Sequence, residues 1–289
     1  MAAIYLDHAA TSPVHPKVIE AMMPVYQDVF GNPSSVHQFG RKARRILDEA
    51  RRTVAESISA DEKEIVFTSG GTEADNLAII GTARANQHKG KHIITTSIEH
   101  HATLHAVEYL EAEGYEVTYL PVDETGAVQA EEVKASLRED TILVSIMMVN
   151  NETGIIQPIE EVAEVVKDHQ AYFHSDIVQA YGLLEVNVQT LPVDLLAVSG
   201  HKVNGPKGIG FLYVREGTKM DSLQYGGEQE RKRRAGTENI PAVKGFQTAV
   251  EVMNMNRNLN RDEYTKFKQL FLNTLKGEEV DFKVNGNEL

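Results

Sequence analysis

The chain has 289 residues, 42% hydrophobic and 25% charged, with a formal net charge of −13 and no cysteine. That is globular composition, long enough for a real core in one large domain or two smaller ones. The acidic balance argues against a nucleic-acid partner, the lack of thiols excludes disulfides and thiolate metal sites and fits a cytoplasmic setting, and neither a signal peptide nor a membrane-length apolar run is visible.

In chain order, residues 3–8 read as a short extended start. Pro16 takes a first-turn helical position, and Val18, Ile19, Met22 and Val25 continue the spacing. After the loop Gly31-Asn32-Pro33-Ser34-Ser35, residues 36–59 place Ile46, Ala50, Val54 and Ile58 at helical intervals. A steady alternation follows. Strands are expected at 65–68, 92–96, 117–120, 142–146 and 171–174. Helices are expected at about 72–86, 101–113, 129–138 and 160–169, with a short helix after the fifth strand. The apolar runs 193–198 and 209–214 read as two further buried strands. Such alternation requires crossover connections and a mostly parallel sheet covered on both faces, with ligands at the carboxyl ends of its strands. Past Ile240 the pattern changes to helices at about 241–256 and 261–275, then a strand at 280–284.

Polar groups gather at those strand ends. Thr68-Ser69-Gly70-Gly71-Thr72-Glu73 joins a strand to a helix, where glycines and free amides suit an anion, although Thr72 also reads as a plain helix cap. Glu99-His100-His101 follows the second strand, and a histidine there could stack on an aromatic ligand. His101 and His105 share a helix face, but no metal-binding pattern accompanies them, so no metal is expected. Asn150-Asn151-Glu152-Thr153-Gly154 is a turn. His174-Ser175-Asp176-Ile177-Val178-Gln179 places a carboxylate beside a buried strand, a costly position without a cationic partner unless Asp176 merely caps the next helix. Ser199-Gly200-His201-Lys202-Val203-Asn204-Gly205-Pro206-Lys207-Gly208 sets lysines in a tight connection between two core strands. Each segment alone has a bland reading as a turn or a cap. Their order suggests a pocket for pyridoxal 5′-phosphate (PLP).

The series resembles the NifS/IscS-type cysteine desulfurases, in the class V aminotransferase group of fold-type I PLP enzymes. Tyr5-Leu6-Asp7-His8-Ala9-Ala10-Thr11, Gly31-Asn32-Pro33-Ser34-Ser35-Val36-His37, Gly226-Gly227-Glu228-Gln229-Glu230-Arg231 and Arg234-Ala235-Gly236-Thr237 carry the likeness across nearly the whole chain. The resemblance implies an α/β fold: a large PLP-binding domain at 16–255 with a mostly parallel, seven-stranded-type sheet between helices, plus an incomplete smaller α+β domain at 256–289. Residues 1–15 would contribute to the small domain and the active site. It also implies roles. Lys202 would condense with the cofactor aldehyde, in preference to Lys207. Asp176 would pair the pyridine nitrogen, Gln179 would bond the ring 3′ oxygen, and Asn151 would sit near it. His100 would stack on the ring and move protons. Gly71, Thr72, Ser199 and His201 would hold the phosphate, with Thr237 reaching in from the partner of a homodimer.

The implied reaction converts L-cysteine to L-alanine and passes sulfur as a persulfide to an acceptor protein serving iron–sulfur cluster, thiamine or tRNA thiolation chemistry. One departure matters. In the family, the sulfur-accepting cysteine and an arginine that grips the substrate carboxylate lie in a C-terminal part beyond residue 289. The expectation is a truncated chain that binds PLP but does not complete persulfide formation unaided. Alternatives are another class V activity, such as selenocysteine lyase or aminotransferase, and a non-catalytic PLP-binding subunit. The basic run 231–234 is expected to be a solvated loop near the dimer interface rather than a dock for an acidic acceptor or tRNA-modifying machinery.

Overall fold

A computed structural model describes residues 3–286. Its strands are β1 (Ile65–Thr68), β2 (His92–Thr96), β3 (Glu116–Leu120), β4 (Thr141–Ser145), β5 (Tyr172–Asp176), β6 (Leu195–Ser199) and β7 (Gly210–Val214). They form one sheet in the order β1-β7-β6-β5-β4-β2-β3. Strand β7 is antiparallel to both neighbours and the other pairings are parallel, so every strand except β7 points the same way. Most strands are buried along their whole length, as expected when helices cover both faces; edge strand β3 is the exception.

The helices are α1 (Pro16–Asp28), α2 (Gln38–Ser57), α3 (Gly71–Asn86), α4 (His101–Ala112), α5 (Ala130–Ser136), α6 (Ile159–Val166) and α7 (Ile240–Gly277). Alternate strand residues feed two apolar layers. Ile65, Phe67, Phe173, Val198 and Phe211 pack with Leu47 of α2, Val162 of α6 and Phe246 of α7. On the other face, Val66, Ala197 and Leu212 meet Leu77 of α3, and Ile93 and Leu143 meet Val107 of α4. Helix α3 is buried nearly all round, which explains its weak amphipathic pattern.

The expected seven-stranded α/β sandwich is therefore present, with three local differences. The segment after β5 is a single turn rather than a short helix, with Tyr181 N–H bonding Ile177 C=O at 2.8 Å, and Gly182 at φ +91° follows. The two helices expected past Ile240 are one, because no Gly or Pro interrupts residues 246–276 and Asn and Arg weaken a helix only slightly. Residues 280–284 form no strand and join no sheet, since no neighbouring strand offers a ladder. No helix among the described residues is long and apolar enough to cross a membrane.

Candidate active site

A cavity of about 350 Å³ opens at the carboxyl ends of β1, β2, β4, β5 and β6. This is where open parallel sheets place ligands, and the volume lies in the small-molecule range of about 300–1,000 Å³.

Its first wall is the β1–α3 connection. Gly70 has φ +152°, which a side chain resists, and a Cβ on Gly71 would stand 2.9 Å from Val178 Cγ2. The first intrahelical bond runs from Ala74 N–H to Gly70 C=O at 3.1 Å. The amides of Gly71, Thr72 and Glu73 are thus the orphan donors at the positive end of α3. Ser199, at the end of β6, closes in beside both glycines and is 4% exposed.

The second wall is the turn after β6. Gly200–Lys202 forms a single 3-10 turn, fixed by Gly200 N–H to Ile209 C=O at 2.9 Å and Gly205 N–H to Gly200 C=O at 3.0 Å. The N-terminal segment is laced to it. Ser12 donates through its N–H (3.0 Å) and Oγ (2.7 Å) to His201 C=O, and Asn204 N–H donates to Ser12 Oγ at 2.9 Å. His201 Nδ1 meets Thr11 Oγ1 at 3.1 Å, and His15 N–H donates to Asn204 C=O at 2.9 Å. This lacing brings Ala9 C=O to the Lys202 ammonium and to Gln179 Nε2, the latter at 3.0 Å. Burial pulls the Lys202 pKa below its ordinary value, against the pull of Asp176, Asp7 and Glu152.

The third wall carries acids and an imidazole. Asp176 ends β5, and its Oδ1 accepts from Val178 N–H at 2.8 Å. Burial, helped by the nearby charge of Asp75, pushes its pKa up to about 8. Among the described residues no Lys or Arg lies within ion-pairing distance of it. His100 caps α4 and accepts from Ala102 N–H at Nδ1, 3.1 Å away. That bond leaves Nε2 to carry the ring proton, and burial, with His101 and Lys202 close by, lowers its pKa. Asn151 completes the lining from the turn after β4, its Nδ2 donating to Glu152 at 2.8 Å.

Nine of the residues expected from sequence therefore line one cavity: Gly71, Thr72, His100, Asn151, Asp176, Gln179, Ser199, His201 and Lys202. Thr237 does not; it is exposed and outside its own chain's cavity. Lys207 is exposed and also outside the lining. The basic run is solvated in part: Arg231 and Lys232 are exposed, and Arg233 and Arg234 are half-buried. Arg231 and Arg233 donate to the carbonyls of Glu62 and Lys63 at 3.1 and 3.2 Å, and Arg234 pairs with Glu73 at 2.7 Å. Among the described residues no group of three or more His, Cys, Asp or Glu is placed to hold a metal ion.

The sequence assigns no role to Ala10, Glu73, Asp75 and Met147, which also line the cavity, or to Glu99, which bonds Met147. Asp75 is 1% exposed, and its Oδ1 lies 3.5 Å from His174 Nε2, both atoms lacking a hydrogen-bond partner. Burial pushes Asp75 up to about 8 and His174 down to about 4. Glu99, also raised to about 8 by burial, accepts from Thr96 Oγ1 at 2.6 Å and Met147 N–H at 3.0 Å, tying the ends of β2 and β4 together.

These residues fit PLP. Orphan amides suit its phosphate, a lysine of lowered pKa suits its aldehyde, and a buried carboxyl without a cation suits its ring nitrogen. The comparisons with known proteins agree. The family pattern "Aminotransferase class-V" matches residues 4–282. An IscS-type relative from Bacillus subtilis is 56% identical over 288 residues, covering 100% of this chain and 76% of that protein. The cysteine desulfurase IscS of Methanosarcina thermophila is 54% identical over 250 residues, covering 86% of this chain and 62% of that protein. A solved NifS-like protein superposes with a TM-score of 0.89 at 38% identity, covering 96% of this chain and 75% of its own. The chain belongs to the class-V aminotransferase family and, within it, to the PLP-dependent cysteine desulfurases.

Proposed function

We propose that this chain holds PLP at Lys202 and acts on L-cysteine, yielding L-alanine as the sulfur passes to a thiol acceptor. The observation that carries this reading is the convergence of Lys202, Asp176, Gln179 and His100 on one cavity with the orphan amides of α3. A similar solved structure, at 41% identity and a TM-score of 0.84, is described as SspA in complex with cysteine.

When bound, PLP supplies an aldehyde that exchanges amines and a ring that accepts electrons. The rest falls to the chain. The lowered pKa of Lys202 raises its share of neutral amine, the form that attacks a carbonyl or takes a proton. Asp176 offers a buried carboxyl that is relieved when a protonated nitrogen meets it. His100 Nε2, free of the capping bond, holds a proton for transfer. Gln179 and Asn151 offer amides to the ring oxygen, and Gly71, Thr72, Ser199 and His201 offer donors to the phosphate. Thr237, exposed in its own chain, would serve the partner's cavity in a homodimer.

These 289 residues contain no thiol, so the one that receives the sulfur lies outside them. The proposed domain division at 255/256 falls within α7. The neighbouring change in burial supports it: Val250 and Met253 are buried, whereas Tyr264, Phe267 and Phe271 are exposed. A cytoplasmic location is part of the same reading. Borohydride reduction of the PLP-treated protein, followed by peptide mapping, tests the central claim. The expected label is on Lys202; a label on Lys207 or none at all defeats the proposal.

A further inference from the structure

We propose that Arg234 is a positioning residue for the anion cradle: through its fork onto Glu73 it offsets the acid in the first turn of α3 and leaves the Gly71 and Thr72 amides free for a phosphate. This deepens the PLP reading and rests on it.

Glu73 is the acidic residue in the first turn of α3, and it lines the cavity beside Gly70, Gly71 and Thr72. A carboxylate there would repel the anion that the helix start attracts. Its oxygens are already engaged. Oε1 accepts from Arg234 Nε at 2.7 Å, and Oε2 accepts from Arg234 Nη2 at 3.2 Å and from Ser69 N–H at 2.8 Å. Burial raises the Glu73 pKa, but Arg234 and Ser69 outweigh it and hold the group below its ordinary value. The acid is therefore ionised, and the guanidinium is the cation that balances it. The side chains are only 17% and 21% exposed, so solvent screens this pair less than a surface pair.

The chain bends sharply to deliver Arg234. Glu230, Arg231 and Lys232 have φ of 45°, 56° and 67°, three successive non-glycine residues in the left-handed region. A buried clamp holds that turn: Arg51 meets the Glu230 carboxylate at 2.6 and 2.8 Å, and Phe67 N–H donates to it at 2.9 Å. The clamp thus links the middle of the 226–237 loop to β1, the strand that leads into the cradle. A loop that only covered the surface would not require this conformation.

The test uses the full chain stripped of cofactor, titrated with PLP and with pyridoxal, which lacks the phosphate. Thermal shift in inorganic phosphate gives a second readout. Arg234→Gln is expected to weaken PLP binding by about tenfold or more and to shrink the phosphate shift, with pyridoxal affinity unchanged. Arg234→Lys should retain most of the affinity, Glu73→Gln should bind PLP as well as wild type or better, and Glu73→Gln/Arg234→Gln should recover most of the loss. PLP affinity unchanged in Arg234→Gln, an equal loss for pyridoxal, or no recovery in the double variant each overturns the proposal. If Arg234→Gln does not fold, Glu73→Gln decides: a loss of PLP affinity there means the pair serves structure alone. A wild-type chain that fails to bind PLP defeats the reading beneath it, a result distinct from normal PLP binding in every variant.

Discussion

Buried ionisable groups occur in two forms in this molecule. Arg51 and Glu230 are 5% and 6% exposed and satisfy each other through two hydrogen bonds, with Ile65 C=O and Phe67 N–H taking further valences. Asp75, Glu99 and Asp176 are as deeply buried, yet none pairs with Lys or Arg among the described residues. Desolvation is severe in both places. In the first it is offset by the opposite charge; in the second it keeps the acids protonated, and two of them, Asp75 and Asp176, line a cavity. A fold that leaves acids uncompensated beside an opening is arranged for a ligand, whereas the compensated pair is arranged to hold a strained turn.

Three experiments sharpen this contrast. Glu230→Gln should cost the most stability, about 3–5 kcal/mol in denaturant unfolding, because it strands a buried guanidinium. A cost comparable to that of a surface pair would remove the distinction. Asp176→Asn should do the reverse. It should leave the cofactor-free protein at least as stable at pH 8 while weakening PLP about 100-fold, since the amide cannot hold a cation.

The smallest effect is a pH slope. Asp75, Glu99 and Asp176 fold with pKa values near 8 but titrate near 4 when unfolded, so between those values the folded chain keeps protons that the unfolded chain has lost. Stability must fall as pH rises and level off above about 8. His174, held near 4, and His100 and His201, also lowered, act the opposite way below about 6.5, where the unfolded imidazole takes up a proton. The clean window is therefore about pH 6.5 to 8. There the unfolding free energy of the cofactor-free protein should decline with pH, by at most about 1.4 kcal/mol per unit for each retained proton, the melting temperature should fall with it, and Asp176→Asn should flatten the decline. A rising curve in that window would show these acids to be ionised.

Much of this was legible in the sequence. Runs such as Ile142 to Ile146 show themselves because a strand covered on both faces needs no polar side. The glycines at 70 and 71 and the Ser199–Lys202 turn could be read because few residues suit such connections. Two kinds of feature were hidden. Asp75 and Glu99 sit in ordinary helical and loop contexts, and their burial comes from strands distant in sequence. The role of Arg234 was hidden by its neighbours, since four cations in a row look solvated until a left-handed turn sends them in different directions. The helix break expected between about 256 and 261 is absent for a simpler reason: no Gly or Pro stands there to stop a helix.

The lacing of Ser12 and His15 to His201 and Asn204 has a consequence for synthesis. Residues 9–12 leave the ribosome well before the partners that hold them in the fold, which follow about 170–190 residues later. At about 5–20 residues per second, that wait lasts roughly 10–40 seconds. Strand β1 waits a shorter time for β7, its sole sheet partner among the described residues, whose paired positions follow roughly 145 residues later. The segment 9–12 is thus a long-lived target for chaperones and proteases, and the turn that carries Lys202 is braced only once the two have met.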